Sequence, residues 1–152
     1  MADISSTFRA EFALPDLAAT AHLAGRIAPR LRRGDAVALW GGLGAGKTTL
    51  ARDILQALGV VEDVPSPTFT LVQTYETPGL SVAHYDLYRL KSSRELDELG
   101  FTEALEDGAA LVEWPERAPE YLPAETLHLR LRLENDIRKV KITGPARWTG
   151  IA

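Results

Sequence analysis

Cysteine is absent from the chain, so disulfides, thiolate metal centres and cysteine nucleophiles are excluded. Long apolar runs are absent as well. A helix that crosses a bilayer needs about 20 consecutive apolar residues, and no stretch approaches that. Met1 to Phe12 carries Asp3, Arg9 and Glu11 where a secretion signal would carry an apolar core, so a cytoplasmic address and no membrane partner are expected. Nor does one sign of charge dominate, since 17 basic groups against 21 acidic ones leave a net charge of −4. Neutralisation of phosphates by Lys and Arg governs nucleic-acid affinity, so a net acidic chain is a poor stand-alone nucleic-acid binder and no DNA partner is expected.

The 152 residues, 45% apolar and 25% charged, suit a single globular domain over 1–152 with a core that needs no covalent staple. No internal repeat appears. The charge is uneven: residues 1–60 carry +2, residues 61–120 carry −9 and residues 121–152 carry +3. Such an acidic middle fits a solvated helix face, or a charged protein partner.

Leu14-Pro15-Asp16 marks a helix start with Asp16 as the cap, and Leu17, Ala21, Ala24, Ala28 and Leu31 follow at helical spacing. Ala36 to Trp40 is a short apolar run that predicts a buried strand. Lys47 to Leu58 predicts a helix stopped by Gly59. Thr68–Tyr75 and Ser81–Asp86 flank the turn Thr77-Pro78-Gly79 and predict a hairpin. Short helices are expected over Arg94–Leu99 and Thr102–Glu106, and a buried strand over Ala109–Glu113. Leu127, Leu129, Leu131 and Leu133 alternate with polar residues, and Arg138–Ile142 returns after Glu134-Asn135-Asp136, which predicts a closing hairpin. The last eight residues are expected to be a loose tail. Interleaved strands and helices predict an α/β sandwich whose central sheet is mostly parallel with antiparallel additions, and the Gly41–Thr48 phosphate-loop pattern narrows this to the three-layer P-loop NTPase kind.

One motif carries chemistry. Gly41-Gly42-Leu43-Gly44-Ala45-Gly46-Lys47-Thr48 matches G-x4-G-K-[ST] in full, and it lies between a predicted strand and a predicted helix, as a phosphate-binding loop requires. Glycines let backbone N–H groups converge on a polyphosphate, and the following helix turns its positive end toward it. Lys47 then supplies an ammonium for the β- and γ-phosphates, and the Thr48 hydroxyl a magnesium ligand. Such a loop needs acids at neighbouring strand ends, to hold the metal and position the attacking water. Asp86 and Glu113 both qualify, each being also an ordinary strand-end or cap residue. Thr68 and Thr70 are candidates for a contact near the γ-phosphate, although β-propensity alone accounts for them. His84 lacks a second histidine at metal-ligand spacing. Trp114 suits core packing, and also covering a nucleotide or anchoring a partner. Arg89 is a candidate arginine finger.

Taken together, the glycine loop extended to Thr49, Ser66-Pro67-Thr68-Phe69-Thr70-Leu71, His84-Tyr85-Asp86-Leu87-Tyr88-Arg89-Leu90, Glu95-Leu96 with Leu99-Gly100, and Leu111-Val112-Glu113-Trp114-Pro115-Glu116 resemble the TsaE (YjeE) family. The likeness runs in order from about Leu14 to Ile142. It implies a small ATPase that uses ATP and Mg2+ and acts with TsaD- and TsaB-type proteins. Those partners transfer threonylcarbamoyl to N6 of adenosine 37 in tRNAs reading codons that begin with A, so tRNA is met through the complex. The resemblance gives Lys47, Asp86 and Glu113 catalytic roles and places metal on Thr48, Glu113 and Asp86. It places nucleotide against Gly41 to Thr49, with Thr49 on the α-phosphate side, and against Leu17 and Arg138. Many relatives carry Asp where this chain has Gly42. Two other functions share the loop. A small-molecule kinase usually needs a basic lid, and the one dense basic stretch, Arg30 to Arg33, precedes the first core strand, a poor place for one. A nucleotide-gated binding module needs only negligible hydrolysis.

Overall fold

The computed structural model describes residues 7–65, 67 and 70–152. Their strands form one seven-stranded sheet in the order β1-β7-β6-β2-β5-β4-β3. The strands are β1 (Thr7–Leu14), β2 (Ala36–Trp40), β3 (Val72–Thr77), β4 (Leu80–Asp86), β5 (Gly108–Glu113), β6 (Leu127–Glu134) and β7 (Ile137–Pro145). The four central strands, β6, β2, β5 and β4, run parallel. β3 joins one side antiparallel, and β7 and β1 join the other. The sheet is therefore mixed and only partly parallel, where a mostly parallel one was expected. The difference comes mainly from β1. Its Phe8, Ala10, Phe12 and Leu14 turn inward while Thr7, Arg9, Glu11 and Ala13 face out, a period-two pattern whose outer face is partly charged.

The helices are α1 (Leu17–Ile27), α2 (Lys47–Ala57), α3 (Glu95–Glu98) and α4 (Phe101–Asp107). The Asp16 side chain caps α1 by accepting from the Ala19 N–H at 2.8 Å, a contact worth about 1 kcal/mol. Leu23 and Ile27 of α1 and Leu50 and Ile54 of α2 pack on Val37, Leu39, Leu111 and Leu129. Ala83, Tyr85, Ala110 and Val112, of the opposite parity in β4 and β5, form a second core with Leu96 and Phe101. Alternate side chains of a strand leave on opposite faces, so β4 and β5 are buried on both, which accounts for the unbroken apolar run Ala109–Val112 of β5.

Between β6 and β7, Asn135 and Asp136 hold φ of 53° and 64°, the two left-handed positions of the two-residue turn that matches strand twist. Thr77-Pro78-Gly79 turns β3 into β4 as expected. The tail is not loose. Ala146–Trp148 forms a 3-10 turn, and Trp148 and Ile151 are completely buried in the α1–α2 core. The Arg30 guanidinium donates to the carbonyls of Arg147 and Thr149, while Arg147 donates to the Arg30 carbonyl and the Asp35 carboxylate. Among the described residues no helix is long and apolar enough to cross a membrane.

Candidate functional site

The glycine loop leaves the C-terminal end of β2 and enters α2 at Lys47. Gly41 has φ +147°, and a Cβ there would stand 2.7 Å from the Leu131 carbonyl oxygen. Gly46, at φ +106°, precedes the first helical residue, and a Cβ on it would strike the Arg138 Nε at 2.7 Å. Both positions therefore require glycine. Gly42 does not, since a Cβ there meets nothing within 4 Å among the described residues. The α2 N-terminus has neither a side-chain cap nor an acidic residue in its first turn. Its leading N–H groups and the positive end of its dipole are left for an anion.

A cleft of about 290 Å3 opens at this point, lined by Leu43 to Thr49, Asp86, Glu113, Trp114 and Arg138. Lys47 lies on its floor, 5% exposed, with Nζ donating to the Gly41 carbonyl at 2.5 Å and the Gly42 carbonyl at 2.9 Å. The same ammonium stands 3.9 Å from the centre of the Trp114 ring. Burial pushes the Lys47 pKa below its usual value, against the opposing pull of Glu113, Glu116 and Asp86.

The two acids come from neighbouring parallel strands in register, Asp86 opposite Glu113 at the ends of β4 and β5. Both are buried. Thr48 Oγ1 donates to Glu113 Oε1 at 2.8 Å. His84 Nε2 sits 2.6 Å from Glu113 Oε2. Asp86 Oδ1 accepts from the Tyr88 N–H at 3.0 Å. Among the described residues no group of three or more His, Asp or Glu side chains stands ready to hold a metal alone. Two carboxylates and a hydroxyl are hard oxygen donors that suit Mg2+, an ion that takes one or two carboxylates and completes its shell with phosphate and water. The Arg138 Nε is buried with no hydrogen-bond partner among the described residues. An unpaired guanidinium N–H beside an open helix N-terminus fits a phosphate.

The structure thus brings together Lys47, Thr48, Thr49, Asp86, Glu113 and Arg138 with Leu43, Gly44, Ala45 and Gly46. Gly41 and Gly42 shape the loop and hold Lys47 through their carbonyls without lining the cleft. Leu17 is 68% exposed and lies outside the cleft lining. It follows Leu14 by one turn, and Leu14 pairs with Arg138, which sets Leu17 at the cleft's end of the sheet. Thr68 lies outside the described residues, as do Ser66 and Phe69 of the same motif, and Thr70 and Arg89 are exposed and away from the cleft lining. Two more residues bear on the site: Trp114, one of whose expected roles was to cover a nucleotide, lines the cleft, and His84, to which no site role was given, stands behind it. Trp114 takes φ 57°, a left-handed conformation costly for a bulky residue, and so lays its ring over Lys47 and against Tyr88, with ring centres 4.8 Å apart. His84 shares strand parity with Asp86, and that parity was the available signal.

A family model described as threonylcarbamoyl adenosine biosynthesis protein TsaE matches residues 14–141. The chain is 41% identical over 122 residues to the tRNA threonylcarbamoyladenosine biosynthesis protein TsaE of Rickettsia felis, covering 80% of this chain and 71% of that one. It is 39% identical over 132 residues to the protein of the same name from Streptomyces coelicolor, covering 81% of this chain and 89% of that one. Among solved structures, Bacillus subtilis YdiB superposes with a TM-score of 0.79 at 29% identity, over 95% of this chain and 92% of that one.

Proposed function

The chain belongs to the TsaE family, and from that premise we propose that it binds and hydrolyses ATP with Mg2+ as an accessory protein of tRNA threonylcarbamoylation. It acts in the cytoplasm beside TsaD- and TsaB-type partners, on a P-loop NTPase scaffold, and meets tRNA through their complex. The observation that carries this is the part-buried Thr48–Glu113 hydrogen bond, which ties the uncapped first turn of α2 to the strand end where Glu113 lies in register with Asp86. Open N–H groups and two cations share the cleft with three hard oxygen donors. A nucleoside triphosphate with a divalent cation satisfies both.

Hydrolysis adds a water oxygen to the γ-phosphorus and breaks its bond to the β–γ bridging oxygen, releasing ADP, phosphate and a proton. Mg2+, when bound, spreads the charge that builds on the phosphate oxygens. The residues do the rest. Lys47 leaves the Gly41 and Gly42 carbonyls for phosphate oxygens, and Arg138 pairs its free Nε with the same tail. Thr48 and Glu113 form the metal-facing wall, and Asp86 orients water at the adjoining strand end. Leu17 flanks the mouth, where the base would lie. Little of this is covalent chemistry, which matches phosphoryl transfer, where positioning and electrostatics supply most of the rate.

Calorimetry with a non-hydrolysable ATP analogue and Mg2+ tests the site, and reconstitution of the modification with both partners, with and without this chain, tests the role. Glu113→Ala should abolish Mg2+-dependent hydrolysis while nucleotide still binds. Unchanged hydrolysis in that variant would move the metal to Asp86. Full tRNA modification without the chain would remove the accessory role.

A further inference from the structure

His84 is completely buried one step deeper than the acidic pair, opposite Leu111 in the parallel ladder. Its Nε2 lies 2.6 Å from Glu113 Oε2. Its Nδ1 is buried and has no hydrogen-bond partner among the described residues. A carboxylate oxygen only accepts, so the shared proton of a neutral ring sits on Nε2 and Nδ1 is left as an unused acceptor. A group that served packing alone would do better as leucine, which leaves no polar atom unpaired in the core. The unpaired nitrogen is therefore tolerated for the sake of the bond on the other side of the ring.

That bond decides where Glu113 points. A glutamate has three freely rotating side-chain bonds, and its order must come from partners. Glu113 has one donor on each oxygen, Thr48 on Oε1 and His84 on Oε2. Thr48 belongs to the phosphate loop's helix and faces the cleft. His84 is no part of the cleft lining. We propose that His84 is a positioning residue for the nucleotide site: by holding Oε2 from behind, it fixes Glu113 so that Oε1 stays beside Thr48, on the face where a divalent cation meets the phosphates. This rests on the nucleotide reading above and adds to it the residue on which the cation requirement depends. Partners that orient metal ligands in this way commonly change metal affinity by about 10- to 100-fold when removed.

The test uses the full chain, with ADP and Mg2+ as probes. In His84→Leu the Mg2+ concentration that half-saturates its effect on ADP binding should rise by about 10-fold or more, while affinity for ADP without metal stays within about twofold of wild type. His84→Gln, whose amide can return an N–H to Oε2, should recover most of the loss. An unchanged Mg2+ requirement in His84→Leu overturns the proposal, as does a His84→Gln protein with an intact melting transition that behaves like the leucine variant. If the wild-type chain binds no ADP at all, the nucleotide reading fails on its own, and the positioning bond is read separately. Nitrogen-15 histidine spectra of the wild type should then show His84 protonated on Nε2, with that proton shifted in Glu113→Gln. A proton on Nδ1 instead overturns the proposal whatever the nucleotide result, and the same spectra decide the matter if His84→Leu fails to fold.

Discussion

Replacing Lys47 by methionine should separate binding from stability. The side chain stays unbranched, loses its terminal atom and loses its charge. In the structure the ammonium is 5% exposed, satisfied by two loop carbonyls at 2.5 and 2.9 Å and by the Trp114 ring. A phosphate would take over those contacts as charge-assisted hydrogen bonds, each worth about 1.5–3 kcal/mol. Loss of two such bonds costs about 3 kcal/mol at the low end, or about two orders of magnitude in Kd for an ATP analogue. Stability should follow the other sign. Burial holds the Lys47 pKa below its ordinary 10.5, so the charged form is disfavoured in the native state and the unfolded chain binds the proton more tightly. The wild type therefore carries a penalty at neutral pH, relieved as pH rises through the alkaline range. Lys47→Met is then expected to melt no lower than wild type at pH 7, and its relative advantage should shrink toward pH 10. Isothermal calorimetry and thermal melts at several pH values measure both effects. Binding within about threefold of wild type would refute the phosphate role of Lys47, and a relative stability that grows with pH would refute the burial argument.

Gly41→Ala should be destabilising, because its Cβ would meet the Leu131 carbonyl at 2.7 Å, whereas Gly42→Asp should change stability by no more than about 0.5 kcal/mol; urea melts that ranked the two the other way would contradict the loop geometry. Trp148→Ala should cost about 3–5 kcal/mol, as expected for a fully buried tryptophan, and denaturation showing under about 1 kcal/mol would mean the tail packs weakly. Burial and Glu103 push the Tyr85 hydroxyl from 10.0 up to about 12, so its stabilisation is complete below pH 10 and is lost as pH rises through about 12. Tyr85→Phe should accordingly lose less stability than wild type across that interval, and parallel melting curves would rule the shift out.

Much of the site could be read from residue order because its parts are local or lie at strand ends. The loop from Gly41 to Thr48 needs only its own glycines and the strand and helix beside it, and Ala36–Trp40 and Lys47–Ala57 supply both. Asp86 and Glu113 each close an apolar run, and parallel register then sets them side by side. What escaped depends on distant partners. β1 becomes a strand because Phe8, Ala10 and Phe12 find β7, more than 100 residues away, to pair with; alone, its alternating charges give a weak signal. The tail is ordered by Arg30 and by a cavity for Trp148 that only the folded α1 face provides. Trp114 required a left-handed backbone that no propensity favours. His84 required knowing which strand lay beside β4.

A triphosphate tail should occupy the cleft between Lys47, Arg138 and the Thr48–Glu113 pair. A crystal structure with a non-hydrolysable ATP analogue and Mg2+ measures that directly. It should show the β- and γ-phosphates against the loop, Lys47 Nζ moved from the Gly41 and Gly42 carbonyls onto them, and the cation beside Thr48 and Glu113. Nucleotide bound elsewhere, or the loop empty at saturating analogue with Lys47 still on its own carbonyls, would contradict it.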